Sequence, residues 1–256
     1  MEGLTIAQIS DLHVGPYIRE RELRHSVELV NGLQPDLVVI TGDVLDRHLS
    51  SLPDAVNGLR GSALRSAPTR SSATTTITRT TTVTRAGIAA AFALRRGSSR
   101  SAFRTLRNEV VQIGPGQDRL VLMGLDWLTT GPNDLNFFSY KPVETRRQLA
   151  RMMQEAGPET PRILLAHHPD TFQEVPSEVG LTLSGHTHGG GQIILGNVDG
   201  RPIGIATLRF KYLSGLYQER GSTLYVNRGI GFLGLPIRIN CPPEINQFKL
   251  VRPAVE

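Results

Sequence analysis

Four short stretches of the chain combine carboxylate and imidazole side chains at close spacing: Asp11-Leu12-His13, Gly42-Asp43-Val44-Leu45-Asp46, His167-His168-Pro169-Asp170 and Gly185-His186-Thr187-His188. Hard carboxylate oxygen and borderline imidazole nitrogen together suit divalent first-row cations. Two such ions held side by side can polarise the oxygens of a phosphoester and supply hydroxide for in-line attack at neutral pH. Taken singly the stretches are commonplace, and the His-Thr-His turn alone reads equally well as a pair of exposed loop histidines. Their shared placement carries more information, because each follows a short apolar run.

Those runs are the elements that must position the ligands. Residues 4–10 have the apolar bias of a strand, and residues 36–41 are too apolar to keep a solvent face, as expected of a strand covered on both sides. Between them, residues 19–31 place Leu23, Val27 and Val30 at helical spacing, and Gly32 follows as a stop signal. This β-α-β order implies parallel strands whose carboxyl ends share one edge, where open α/β sheets build their sites. Residues one apart at such an end, Asp11 with His13 and His186 with His188, are expected to project to one side. Further strands are predicted at 162–166, 181–184, 192–195, 223–226 and 248–251, and a hairpin at 109–113 and 119–125. Helices are predicted near 55–60 and over 143–156. Leu149, Met152 and Met153 read as the inward face of the second helix, and Tyr212, Tyr217 and Tyr225 as packing residues.

The chain of 256 residues is long enough for one large α/β domain. Its single cysteine, Cys241, cannot form an internal disulfide and reads as structural filler. The first strand lies so near residue 1 that no signal peptide is expected, and no apolar run approaches the length of a membrane span. A cytoplasmic address is expected, with peripheral membrane association left open. The formal charge is +5, yet residues 62–107 alone hold nine arginines and no Asp, Glu or Lys. The basicity belongs to one odd segment, which argues against nucleic acid as a partner of the whole domain.

Taken in order, the four motifs resemble those of the calcineurin-like metallophosphoesterases. The tail, with Gly215-Leu216-Tyr217, residues 225–231 (YVNRGIG) and Pro242-Pro243-Glu244-Ile245, is similar to the bacterial YkuE/YaeI-type phosphodiesterase subgroup. The resemblance implies a single domain over 1–256, an α/β fold built as a four-layer α/β/β/α sandwich of two mixed sheets, with the site at the strand ends. It further implies two divalent metal ions, Mn, Fe, Zn or Mg. Asp11, His13 and His188 would hold the first, Asp43 would bridge, and Asp43, His167 and His186 would hold the second. Asp46 and His168 would stand behind the ligands, orienting them or walling the pocket. The implied activity is hydrolysis of a small-molecule or lipid-linked phosphoester by a metal-bound hydroxide, of phosphodiesterase or pyrophosphatase type. Oligomeric state is left open.

One part of the family pattern is absent. Between the second and third of these motifs the family carries Gly-Asn-His-Asp or Gly-Asn-His-Glu, whose Asn completes the second metal site and whose His assists the leaving group. Asn57 lies too near the preceding motif, and Asn108 has no histidine after it. The expected position falls in residues 62–102, a Ser/Thr/Arg/Ala stretch with eight threonines between 74 and 84 and no helical or strand periodicity. Threonine codons begin AC and isoleucine codons AT. Shifting the frame back by one base makes each the last two letters of a codon for Asn, His, Asp or Tyr. Ala73-Thr74-Thr75-Thr76-Ile77-Thr78 is thereby compatible with Gly-Asn-His-Asp-Tyr-Tyr. We read 62–102 as translated out of frame between compensating indels, and expect it to pack poorly beside the site and to impair activity. A disordered basic insertion and a solvated loop without a role are the other readings. Resequencing the gene across the interval decides, since an unbroken frame would remove the idea.

Overall fold

In a computed structural model of the chain, residues 2–46, 48–60, 91–94, 104–114, 119–127, 140–158, 160–199 and 201–251 are described. In chain order the elements are β1 (Thr5–Ile9), α1 (Glu20–Gly32), β2 (Leu37–Ile40), α2 (Leu52–Arg60), β3 (Ala91–Leu94), β4 (Arg104–Thr105), β5 (Glu109–Ile113) and β6 (Leu120–Leu125). There follow α3 (Pro142–Ala156), β7 (Arg162–Ala166), β8 (Leu181–Ser184), the short α4 (His188–Gly191), β9 (Ile194–Val198), β10 (Arg201–Gly204), β11 (Gly215–Glu219), β12 (Ser222–Val226) and β13 (Asn246–Lys249). Three-residue to six-residue 3-10 turns occupy Leu49–Ser51, Pro169–Glu174 and Ile205–Leu208.

Two mixed sheets result. One has the order β13-β1-β2-β3-β4, with β1 and β2 parallel; the other has the order β11-β12-β8-β7-β6-β5, with β12, β8, β7 and β6 mutually parallel. Strand alternation sorts the side chains into layers. Ile6, Leu37 and Val39 of the first sheet are buried together with Leu122, Ile163, Leu165 and Leu183 of the second. The opposite face of the first sheet, with Ala7, Ile9, Val38 and Ile40, covers itself with Leu23 and Val30 of α1 and Ala55 of α2. The opposite face of the second, with Val121, Met123 and Leu164, is covered by Leu149 and Met152 of α3. Three apolar interlayers make the α/β/β/α sandwich.

The helices form where the sequence has both an apolar stripe and a start signal. The Glu22 carboxylate accepts from the Arg19 backbone N–H at 3.1 Å, and Glu20 and Glu22 sit in the first turn of α1, where the helix dipole favours negative charge. Pro142 opens α3, a position whose N–H has no helical partner to lose.

Several elements depart from the sequence reading. The strand predicted at 192–195 forms as β9, displaced to Ile194–Val198 and paired with β10, and β10 and β11 were not foreseen, because they run through mixed polar sequence. Within the stretch read as lacking strand periodicity, residues 91–94 form β3 and pair antiparallel with β2, Leu37 opposite Leu94. Ladder pairing satisfies backbone groups whatever the side-chain pattern, so a short Ala-Phe-Ala-Leu segment suffices. The threonine-rich part of 62–102, with its proposed hidden motif, lies outside the described residues. Among the described residues no helix is long and apolar enough to cross a membrane.

Candidate metal centre

The carboxyl ends of β1, β2, β7 and β8 meet at one edge of the sandwich, and short loops continue from each. Cross-loop backbone bonds hold them: Asp11 N–H donates to Gly42 O at 3.1 Å, His13 N–H to Asp43 O at 2.9 Å, and Gly185 N–H to His167 O at 3.1 Å. Gln8, fully buried between the sheets, joins them by donating to Thr41 Oγ1 at 3.0 Å and Ser184 O at 2.9 Å. The His186 N–H then donates across the sheets to the Asp11 carboxylate at 3.0 Å. Glycine is required where these loops touch. A Cβ on Gly42, which has φ +120°, would strike the His167 ring, and one on Gly185 would strike Ser10 and the Asp11 carboxylate.

This scaffold gathers six side chains into two groups, Asp11/His13/His188 and Asp43/His167/His186, each with ligand atoms within 4.8 Å of one another. In the first group His13 Nε2 and His188 Nε2 are 3.0 Å apart, and Asp11 Oδ1 is 3.5 Å from His188 Nε2 and 4.0 Å from His13 Nε2. In the second, His167 Nε2 is 3.3 Å from Asp43 Oδ2 and 3.1 Å from His186 Nδ1. Metal bonds of about 2.0–2.2 Å require ligand atoms within about 4.4 Å of each other, and each of these separations satisfies that. Asp43 Oδ2 also lies 3.6 Å from His13 Nε2, and Asp11 Oδ1 lies 4.0 Å from His167 Nε2. Both carboxylates therefore stand between the groups, whereas the family resemblance implied only Asp43 there.

The donor set fits a divalent pair in its protonation as well as its spacing. His167 Nδ1 lies 2.9 Å from the Thr41 carbonyl, which can only accept, so Nδ1 carries a proton and Nε2 is the ring atom turned inward, the one a cation would take. Among the described residues, His13 Nδ1 and His186 Nε2 are buried without a hydrogen-bond partner. Burial drives the His188 pKa down to about 4 and that of His186 well below its ordinary 6.5, which keeps both rings neutral. Burial would lower His167 too, but the Asp43 carboxylate beside it outweighs that and raises it to about 9, so without a cation the ring is an imidazolium paired with Asp43, and a bound metal would displace its Nε2 proton. Asp43 is correspondingly held below the usual carboxylate range by His167, against its own burial.

The backbone is strained where the ligands sit. Asp11, His13, Asp43, His186 and His188 all have positive φ, between 43° and 74°. Left-handed non-glycine residues are uncommon and persist only when their surroundings force them, so five of six at one place mark the edge as built for its side chains. The expectation that residues separated by one position would share a side holds for Asp11 and His13, which fall in one group, and not for His186 and His188. His186 and His188 lie beyond β8, and the left-handed turns send them to different groups.

Asp46 Oδ1 lies 3.8 Å from His13 Nδ1, beyond hydrogen-bond range, so it lends charge to that ring without holding its orientation. His168 accepts from the Asp170 N–H at 3.2 Å and stacks on His186 with centroids 5.1 Å apart. Trp127, Tyr140 and Phe210 close round these two rings, Trp127 at 4.7 Å and Phe210 at 5.2 Å from His186. Sequence reasoning missed this aromatic wall. Trp127 follows β6 at the same carboxyl edge as the ligands, and that placement was the available signal.

Two facing mixed sheets with an Asp/His double cluster across their carboxyl ends are similar to the architecture of calcineurin-like phosphoesterases. The family model described as Calcineurin-like phosphoesterase matches residues 4–67. Over 98% of its length the chain is 31% identical to the "Transmembrane protein with metallophosphoesterase domain" of Bos taurus and 30% identical to the protein of that name in Danio rerio. It covers 53% and 54% of those proteins, so it spans about half the length of these relatives. Over 97% of the chain it is 29% identical to the "Uncharacterized metallophosphoesterase YkuE" of Bacillus subtilis, of which it covers 79%.

Proposed function

We propose that the chain is a two-metal phosphoester hydrolase of phosphodiesterase or pyrophosphatase type, acting on a small or lipid-linked phosphoester. The observation that carries the reading is the pair of Asp/His groups whose ligand atoms stand 3.0–4.0 Å apart and share the Asp43 and Asp11 carboxylates. Asp11, His13 and His188 would hold one divalent ion, and Asp43, His167 and His186 the other. Such a pair supplies Lewis-acid polarisation of phosphoryl oxygens and a nucleophile from water at neutral pH. The residues' own contribution is position. Thr41 O fixes the His167 tautomer, the His186 N–H holds the Asp11 carboxylate, and the Trp127, Tyr140 and Phe210 rings exclude water from one side of the centre.

The sequence carries no Asn-His pair between the second and third motifs, so turnover should be impaired at leaving-group protonation. A metal-binding pseudoenzyme or translated pseudogene is the second reading, favoured by that absence. Hydrolysis of a bis-aryl phosphate with added Mn²⁺, measured beside metal content, tests both for the chain as given and for a version with its frame across 62–102 restored. Comparable metal in both and a gain of roughly 10²-fold or more on restoration is expected, the scale of one general acid. Equal activity would remove the importance given to the motif, and absence of metal from both would end the enzyme reading.

A further inference from the structure

Behind the first ligand group, one guanidinium ties together the chain segments that hold it. Residues 228–231 lie directly on Asp11: the Ile230 N–H donates to Ser10 O at 3.0 Å, the Gly231 N–H donates to Asp11 O at 2.7 Å, and a Cβ on Gly229 would strike the Asp11 side chain. Carbonyls of that segment turn to Arg238, whose Nη2 donates to Gly231 O at 2.6 Å and Gly229 O at 3.1 Å and whose Nη1 donates to Arg228 O at 3.1 Å. A planar fork fixes several acceptors at once, which an ammonium on a flexible stem does not.

The same fork reaches His188 from behind. Arg238 Nη2 lies 3.4 Å from His188 Nδ1, at the outer edge of the ring, while His188 Nε2 faces His13 and Asp11. Arg238 Nη1 also donates to Cys241 O at 3.3 Å and lies 3.7 Å from Cys241 Sγ, and that thiol donates to His188 O at 3.1 Å. Ring and backbone of His188 are thus braced from one side chain. Arg238 is set in place by its own loop, where Gln192 Nε2 donates to the carbonyls of Leu233 and Leu235 at 3.2 Å and Ile237 at 3.4 Å, turning them inward and leaving the Leu233, Leu235, Ile237 and Ile239 side chains exposed. The second ligand group is braced elsewhere, by Thr41 O on the His167 ring and by Gly42 packed against it.

We propose that Arg238 is a positioning residue for the cation held by Asp11, His13 and His188, acting through residues 228–231 and the His188 ring. The proposal rests on the reading of the two groups as metal sites. A guanidinium near a cation opposes its binding by charge. Here the carbonyls of Arg228, Gly229, Gly231 and Cys241 all point their negative ends at that charge and offset it, so what the chain loses with Arg238 is alignment. Residues that orient metal ligands from outside are worth roughly 10–100-fold in metal affinity.

Calorimetric titration of Mn²⁺ into the metal-free full chain tests the proposal without turnover. Two binding phases are expected, and the phase lost in His188→Ala identifies the first group. Arg238→Met should weaken that phase by roughly 10–100-fold and move the other far less. Arg238→Lys, which keeps the charge and loses the fork, should weaken it nearly as much. Cys241→Ala should act in the same direction and by less, and with Arg238→Lys it carries the test if Arg238→Met does not fold. Arg162 is the control: it donates to the carbonyls of Gly157 and Glu178 at the amino end of β7, the end away from the ligands. Arg162→Met should lower the thermal midpoint and leave both phases as they are. The proposal is overturned if Arg238→Met binds the first ion as tightly as wild type or more tightly, which gives charge the larger effect. It is also overturned if both phases weaken together with the thermal midpoint, which makes Arg238 a support of the fold alone. A wild-type chain with no phase that His188→Ala removes overturns it as well, and one that takes up no ion at all overturns the metal reading with it.

Discussion

His167 shows how much of the centre depends on single hydrogen bonds. Its Nδ1 proton goes to Thr41 O, which leaves Nε2 as the ring atom that faces Asp43 Oδ2 and His186 Nδ1. His186→Ala and His188→Ala should each remove one ligand from a different group. Metal analysis of the two variants is expected to show partial loss, with the ion retained differing between them; loss of both ions from both variants would contradict the division into two groups. Glu244 offers a test remote from the ligands. It accepts from the Arg228 N–H at 2.9 Å and the Tyr225 hydroxyl at 2.8 Å, and although burial raises its pKa these bonds outweigh it and hold it below the ordinary 4.5. A carboxyl with a depressed folded pKa contributes stability above its unfolded value and loses it as pH falls through the folded value. Glu244→Gln should therefore cost about 1–2 kcal/mol in denaturant melts at neutral pH, and the gap from wild type should narrow as pH drops below 4.5.

At the scale of elements, the site is made by the approach of β1 and β8 from different sheets. Gly185 has no room for a methyl group where β8 meets β1, nor has Gly42 where the end of β2 meets that of β7. Gly42→Ala adds a left-handed strain of about 1–3 kcal/mol to a collision with the His167 ring. A lowered thermal midpoint together with weaker metal binding is expected. Gly157→Ala, also at positive φ but with nothing near its Cβ, should lower stability while leaving metal binding as it is. If both variants bound metal like wild type, the close packing of these loops would not be what positions the ligands.

For the molecule as a whole, the metal pair and the sandwich should support each other. Two clusters drawn from four strand ends and both sheets bind only when the layers are assembled, so metal binding is linked to folding. At a hundred times Kd a bound ion adds about 2.7 kcal/mol, and stripping the metals with a chelator should lower the melting temperature by roughly 5–10 °C. An unchanged melting curve would mean that the six residues hold no ion in the native chain.

The amino-acid sequence by itself determined the parallel core strands and the helices over them, because full burial and helical spacing leave a periodic imprint that short-range physics alone imposes. Leu37–Ile40, Glu20–Gly32 and Pro142–Ala156 fall within a residue or two of where that imprint places them. It also marked the six Asp and His residues that the fold gathers into two groups, since each follows an apolar run at a strand end. What only the tertiary structure decided was how they meet. The left-handed turns at Asp11, Asp43, His186 and His188 override the alternation expected of a strand, and Asp11 reaches both groups because β8 of the other sheet lies against it. Neither β3 nor the outward-facing Leu233–Ile239 loop could be read locally. One is specified by the backbone groups of β2, and the other by a glutamine some forty residues away whose amide takes the loop's carbonyls inward.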